Sequence, residues 1–229
     1  MSKKLNIIYE DNDVIVVIKP TGIESQSSKG LESDMVSLIR NYLYKKNLSN
    51  YVGVIHRLDK NVTGIMVFAK NKNTAKWLSK QVSEGNIKKK YIAIACGKIV
   101  DKCGKLEDYL CKNSKNNISE IIDKDKLNLY PNAKLARLNY KVLEYITIDK
   151  KEYTKVDIEL ITGRHHQIRV QFAGFGYPLR GDRKYGNDIG SGNIDLMSYY
   201  LEFYHERLKK MMKFDICLLY TSPSPRDGL

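Results

Sequence analysis

Apolar and polar residues follow a period of two near both ends of this chain and a helical period in three stretches between them. Residues 5–18, LNIIYEDNDVIVVI, make two short β-type runs around the turn residues Glu10-Asp11-Asn12-Asp13, a hairpin signal. KPTG, from Lys19 to Gly22, then breaks the strand. With Ser33 as N-cap, Met35, Leu38, Ile39 and Tyr42 recur at helical spacing to about Lys45. The stretch VGVIHRLDKNVTGIMVFAKN, Val52–Asn71, follows, with a strand over Ile65–Phe68. A second amphipathic helix fits Asn73–Val82, with Trp77, Leu78 and Gln81 in its body and Gly85 just past its end. KYIAIACG, Lys90–Gly97, reads as the next strand.

Residues 101–132 are rich in lysine and asparagine and weakly periodic, which predicts short strands and mobile loops. Long β-type segments return at Ala133–Ile148 and Tyr153–Ile161, where Val156, Ile158 and Leu160 alternate with Lys155, Asp157 and Glu159. In RHHQIRVQFAGF, residues 164–175, Ile168, Phe172 and Phe175 with Gly176 beyond them predict a helix. Its first turn would hold Arg164 and His165, where free backbone N–H groups attract anions. Strands at Met197–Phe203 and Met211–Leu218 close the pattern, with no internal repeat or linker. Residues 1–218 therefore read as one domain, and residues 219–229, which include YTSPSPRDGL, as a non-native or disordered tail.

At 229 residues and 42% hydrophobic, the chain can bury a core of its own. Its longest clean apolar run near the start, Val14–Ile18, is far short of the roughly 20 residues that cross a bilayer, and acids interrupt the N-terminus too early for a signal peptide. A cytoplasmic protein is expected. Cys96, Cys103, Cys111 and Cys217 form no C-x-x-C pair, so reduced thiols are expected rather than a metal or disulfide framework. The net charge of +13 favours an anionic partner such as nucleic acid. Arginine placement sharpens this: of nine arginines, Arg164, Arg169, Arg180 and Arg183 fall between Gly163 and Gly186, where an even spread puts about one. Arginine is the side chain suited to forked contacts with phosphate or carboxylate.

Charge also poses the chemical question. His56, Arg57, Asp59 and Lys60 lie between the apolar runs Val54-Ile55 and Ile65–Phe68, and burying an unpaired charge costs several kcal/mol. Either the loop is a solvated turn in which Asp59 caps backbone amides, or it holds a reactive carboxylate with an arginine nearby. By pattern alone Tyr91 fits a core or rim aromatic more readily than a catalytic one, Lys88 to Lys90 fit a solvated face, and Arg169 fits a helix-surface residue as well as a functional one. His165-His166 suggests a metal, yet adjacent helix residues point apart and no third ligand lies at a suitable spacing, so no metal is expected.

HRLDKNVTGIMVFAKN is very similar to the HRLD motif of RluA-type RNA pseudouridine synthases. IIYEDNDVIVVIKPTGI resembles the opening strand pair of that family, KKKYIAIACG its second motif and LITGRHHQIRVQFAGFGYPLRGDRKYG its third. The four occur in the family's order from Ile7 to about Cys217. The chain departs from the pattern at Ile18, in GIESQSS, at Gln171 and at Met197-Ser198, none of them an expected catalytic position.

The resemblance implies an α+β fold, a mixed and largely antiparallel central sheet flanked by helices with a central RNA-binding cleft. It implies that Asp59 is the catalytic aspartate, that Tyr91 packs against the base and assists removal of the C5 proton, and that Arg169 ion-pairs with Asp59. Arg57 would help displace the target base, with His56 beside it on the RNA. Arg164, Arg180 and Arg183, with the Lys88-Lys89-Lys90 run and Lys88 and Lys90 above all, would meet phosphates. The expected activity is isomerisation of uridine to pseudouridine in a structured RNA, rRNA or tRNA, by a monomer without an S4-type segment, cofactor or metal. Two rivals stand beside it. One is a non-catalytic RNA-binding or chaperone module. The other is a glycosidase-like hydrolase, for which Asp182 is the extra carboxylate within the motifs.

Overall fold

Asp11 makes the first turn. Its carboxylate accepts from the backbone N–H groups of Asp13 and Val14, each at 2.8 Å, closing a hairpin between β1 (Asn6–Glu10) and β2 (Val14–Lys19). The computed structural model describes residues 5–27, 33–187 and 193–216. The tail expected at 219–229, and Cys217-Leu218 of the last expected strand, lie outside the described residues. Ile15 and Val17 are buried on one face of β2, Val14 and Val16 on the other. The apolar run is continuous because both faces are covered.

Helix α1 (Met35–Lys45) covers the first face with Met35, Ile39 and Leu43. Its N-cap is Asp34 rather than Ser33. The Asp34 carboxylate accepts from Ser37 N–H at 2.7 Å, and the Ser37 hydroxyl accepts from Asp34 N–H at 3.0 Å, a reciprocal capping box. Asp34 also takes the Ser27 N–H at 2.5 Å, so the cap ties down the preceding loop. After β3 (Gly53–Val54) and β4 (Thr63–Ala69), helix α2 (Lys72–Ser83) opens on the Asn71 side chain, which accepts from Thr74 N–H at 2.8 Å. Its Leu78 packs on the second face with Val16, Val67 and Leu201, a burial that stabilises by about 2 kcal/mol.

Strand β5 (Lys88–Cys96) is followed by β6 (Cys103–Asn113) and β7 (Ile118–Ile122), a regular hairpin, and by a 3-10 turn at Lys124–Leu129. This corrects the expectation of short strands and mobile loops over 101–132. The pairing is regular, with Cys103–Leu110 opposite Lys134–Lys141. Both faces of β6 are largely half-exposed, so no apolar alternation marks it. Strands β8 (Lys134–Ile148) and β9 (Lys151–Leu160) turn on Asp149 and Lys150, both at positive φ, as a two-residue hairpin requires. Helix α3 (Gln167–Gly174) precedes β10 (Leu196–His205) and β11 (Lys210–Asp215).

The strands form one sheet in the order β1-β2-β4-β10-β5-β9-β8-β6-β7, with β3 also on β4 and β11 also on β10. Only β4 and β10 run parallel among the described pairs, so the fold is α+β on a mixed, largely antiparallel sheet. Their contact is confined to Thr63-Gly64 against Met197-Ser198. Gly64 has φ +135°, and a Cβ there would lie 2.2 Å from the Ser198 carbonyl oxygen, so only glycine lets these strands meet. Ser198 is also in register with Tyr91 on β5. The sheet thereby sets the end of the 56–62 loop beside the second motif.

Helix α3 starts later than expected. His166 sits in the left-handed region at φ +50° and caps the helix, so Arg164 and His165 precede it rather than occupying its first turn. Among the described residues no helix is long and apolar enough to cross a membrane, and no two cysteines are joined.

Candidate active site

The loop that carries Asp59 is strapped from behind by residues 19–25. Lys19 is fully buried at the end of β2, and its ammonium donates to the carbonyls of Ile23 (2.8 Å), Pro20 (3.0 Å) and Lys60 (3.1 Å). Burial pushes its pKa down to about 8, against the opposing pull of Asp59. Gly22 N–H donates to the same Lys60 carbonyl, Thr21 to Asn61 and Ser25 to Leu58, whose N–H returns to the Ser25 hydroxyl. The turn reading of the sequence is thus half right: the loop is pinned through its backbone carbonyls, and this leaves the Asp59 side chain for other partners.

Those partners come from the third motif. Arg169 donates through Nη1 to Asp59 Oδ2 at 2.9 Å and forks through Nε (2.8 Å) and Nη2 (2.7 Å) onto Asp182. The Asp182 side chain is wholly buried and also accepts from Lys184 N–H. One guanidinium therefore bridges two carboxylates, and those charges raise its pKa above the ordinary arginine value despite burial, which pushes the other way. The guanidinium also lies 5.2 Å from the Tyr185 ring centre. His166 Nε2 stands 3.6 Å from Asp59 Oδ2. Both contacts fall on Oδ2, and Oδ1 takes part in neither.

Tyr91 lies on the same side of the sheet. It is buried, and burial raises its phenol pKa well above the usual value; the Asp59 charge adds to the rise and the Ser198 hydroxyl opposes it. That hydroxyl is close enough to act electrostatically, without a hydrogen bond of ordinary geometry. Strand alternation places Lys89, not Lys88 or Lys90, on the Tyr91 face. Lys88 pairs with Glu159 at 3.0 Å, and Lys90 faces Asp157 at 4.0 Å. Lys89 is buried, its pKa lowered by burial, with no acid paired to it among the described residues. A Cβ on Gly163 would sit 3.4 Å from its ammonium, so Lys89 reaches the loop before α3.

Two expected RNA contacts turn inward. His56 Nε2 accepts from Val67 N–H at 3.2 Å, and burial holds its pKa down near 3, so it is a neutral ring completing the β3–β4 edge. Arg180 pairs with Asp195 at 2.6 Å and lies over Tyr153, its side chain 12% exposed. Arg57 and Arg183 are exposed and make no ion pair among the described residues. Arg164 is exposed and donates to the Leu135 carbonyl at 2.9 Å. It lines an open cleft of about 410 Å³ with Lys112, Lys134, Ser119 and His165, and His165 stacks on His166 at 3.8 Å.

Among the described residues, His165 and His166 are not part of a group of three metal-capable side chains whose ligand atoms converge, although Asp59 stands beside His166. The described residues that do come together in that way are Asp11, Asp13 and His205. Their carboxylates already accept from the Asp13 and Val14 amides, Tyr9, Asn71 and Arg207, an arrangement of a turn and its ion pair. Sequence reasoning did not find Lys19 or the paired roles of Asp182 and Tyr185. The available signals were a lysine ending a fully apolar strand and an aspartate thirteen positions after Arg169.

A family model described as RNA pseudouridylate synthase matches residues 13–174. An uncharacterized RNA pseudouridine synthase of Aquifex aeolicus is 34% identical over 228 residues, 93% of this chain and 69% of that protein. Ribosomal large subunit pseudouridine synthase C of Buchnera aphidicola is 30% identical, over 89% of this chain and 64% of that protein. Synthase D of Pasteurella multocida is 33% identical, over 80% of this chain and 53% of its own length. The chain thus spans between about half and about two thirds of these relatives. Among solved structures, human RNA pseudouridylate synthase domain containing 1 superposes with a TM-score of 0.75 at 23% identity, covering 97% of this chain and 84% of that one.

Proposed function

The chain belongs to the RNA pseudouridylate synthase family, and from that premise we propose that it isomerises specific uridines of a structured RNA to pseudouridine, with Asp59 carrying the chemistry. The names of the Buchnera and Pasteurella relatives refer to the large ribosomal subunit, which favours rRNA over tRNA as the substrate. The reaction breaks the N1–C1′ bond, turns the uracil and joins C5 to C1′, and the C5 proton is lost as N1 gains one. Atoms and electrons balance within the nucleotide, so neither redox cofactor nor hydrolytic water enters.

The observation that carries this reading is the Asp59–Arg169–Asp182 bridge. With Oδ2 held by the guanidinium, Oδ1 is the oxygen left to attack the sugar or take a ribose proton. Asp182 is wholly buried and spent on Arg169, which argues against the two-carboxylate hydrolase, since that mechanism needs a second acid or base at the bond. A plain RNA-binding module has no use for a carboxylate strapped at the end of a cationic bridge. Reaching the bond requires the uridine to leave its stack at a cost of a few kcal/mol, offset by contacts with Arg57, Arg164 and Arg183. Tyr91, whose burial disfavours the phenolate, serves as a packing surface for the base.

Release of tritium from 5-tritiated uridine in rRNA fragments tests the proposal. The wild type releases tritium and forms pseudouridine, whereas Asp59→Asn and Asp59→Ala release none and bind RNA within a few-fold of wild type. RNA binding without release by the wild type would point to the binding module, and free uracil to a hydrolase.

A further inference from the structure

His166 is held at the end of a chain of hydrogen bonds that runs from Ser119 through Tyr185. The backbone N–H of Ser119 donates to the Tyr185 hydroxyl at 2.7 Å. The phenol oxygen accepts there and keeps its own proton for a second bond, for which His166 Nδ1 at 2.9 Å is the acceptor when the imidazole carries its proton on Nε2. A ring nitrogen that accepts cannot also carry the proton, so a Tyr185 hydroxyl donating to Nδ1 puts the proton of the neutral imidazole on Nε2. Nε2 is the atom that faces Asp59 Oδ2 across 3.6 Å, a gap longer than a hydrogen bond.

The surroundings also fix the plane of the ring. His166 lies edge-on to Tyr185, with ring centres 5.6 Å apart at 87°, and stacks on His165 at 3.8 Å. Its backbone takes up the left-handed region, which costs about 1 kcal/mol or more in a residue other than glycine. Burial beside Arg169 and His165 lowers its pKa to about 4, although Asp59 pulls the other way. Arg169, His165 and Lys184 all disfavour a cationic ring, and among the charged groups acting on it Asp59 alone favours one. Tyr185 touches both Asp59 partners, since Arg169 lies over its ring.

We infer that His166 is a positioning residue for Asp59: its Nε2–H, fixed there by the Tyr185 hydroxyl, is the second donor to Oδ2 and holds the carboxylate with Oδ1 toward the substrate. Catalytic hydrogen bonds that are long in an empty site tighten in the complex, and closure of the 3.6 Å gap is that step here. A cationic ring would add a second positive charge beside Arg169 and weaken the carboxylate as nucleophile or base; the neutral ring orients it without doing so.

The inference rests on the proposed isomerase reading, and the experiment separates the two. Nitrogen-15 spectra of the imidazoles, with the His166 signal assigned from His166→Gln, report the tautomer without any reaction. Protonation at Nε2 is expected at pH 7, and at Nδ1 would overturn the inference. In single-turnover tritium release, His166→Leu is expected to be slower by about 10- to 100-fold, the worth of one donor to a charged group, at unchanged RNA affinity. His166→Gln, whose amide offers an N–H at the Nε2 position, is expected to recover most of the rate. Tyr185→Phe keeps the ring but loses the donor to Nδ1, so the acid limb of its rate profile should move to higher pH. Equal losses in Leu and Gln variants, or an unmoved limb in Tyr185→Phe, would reduce His166 to packing. A wild type that releases no tritium would defeat the isomerase reading while leaving the tautomer result standing.

Discussion

Lys19 explains how a loop crowded with charge stays in one conformation. A buried ammonium with three carbonyl acceptors replaces much of its lost hydration, and one of those carbonyls belongs to Lys60, next to Asp59. The arrangement has a pH signature. Because the folded-state pKa is near 8 and an unfolded lysine titrates near 10.4, the unfolded chain holds more protons between these values. Stability therefore rises with pH in that window, by up to about 3 kcal/mol at 1.36 kcal/mol per unit. Buried Tyr91 and Tyr199 retain their protons and oppose the rise above about pH 10, so the comparison needs a variant. Urea unfolding at pH 7.5 and 9.5 should show wild type gaining on Lys19→Met; parallel changes in both proteins would remove Lys19 as the cause. Neither Lys19 nor His166 could be assigned from sequence, because the worth of a buried polar group lies in partners far along the chain. The pairing of Asp59 with Arg169 was legible through the motifs, whereas Asp182 was read only as a spare carboxylate.

At the scale of elements, periodicity was informative where one face met solvent and the other a core. Helices α1 and α2 carry that pattern, and their observed limits fall within a residue or two of those expected. It failed over β6 and β7, whose faces are half-exposed and laced with charge pairs such as Arg137 with Glu107 at 2.7 Å, and at the start of α3, where a left-handed His166 ends the loop. Period two also decides among three adjacent lysines. Lys88 and Lys90 sit on the side of Glu159 and Asp157, while Lys89 shares the side of Tyr91. Lys89→Ala should then weaken RNA binding or slow turnover by about tenfold, the scale of a lost charged contact, while Lys88→Ala and Lys90→Ala stay within about twofold, as exposed ion pairs do. Filter binding and single-turnover rates on the three variants check this. Equal effects in all three would mean that the run acts as diffuse charge.

Over the whole molecule the net charge of +13 says that an anion is attracted but not where it rests, since cations divide between those that hold the fold together and those that face outward. Arg180 belongs to the first kind, with Asp195 at 2.6 Å and little exposure. Arg57 and Arg183 belong to the second. The clustering of arginines in the third motif, which suggested phosphate contacts throughout, combines the two: Arg169 and Arg180 serve carboxylates of the chain itself, leaving Arg164 and Arg183 for a ligand. Salt dependence separates these roles because each phosphate contact releases counterions and adds close to one unit to the slope of log affinity against log salt. Arg57→Gln and Arg183→Gln should each lower that slope by about one with the fold unchanged. Arg180→Gln should leave the slope alone and instead lower the urea midpoint, because it strips Asp195 of its partner. If Arg180→Gln reduced the slope as Arg183→Gln does, its pairing in the free protein would have to open on RNA, and the division of charge between fold and ligand would need redrawing.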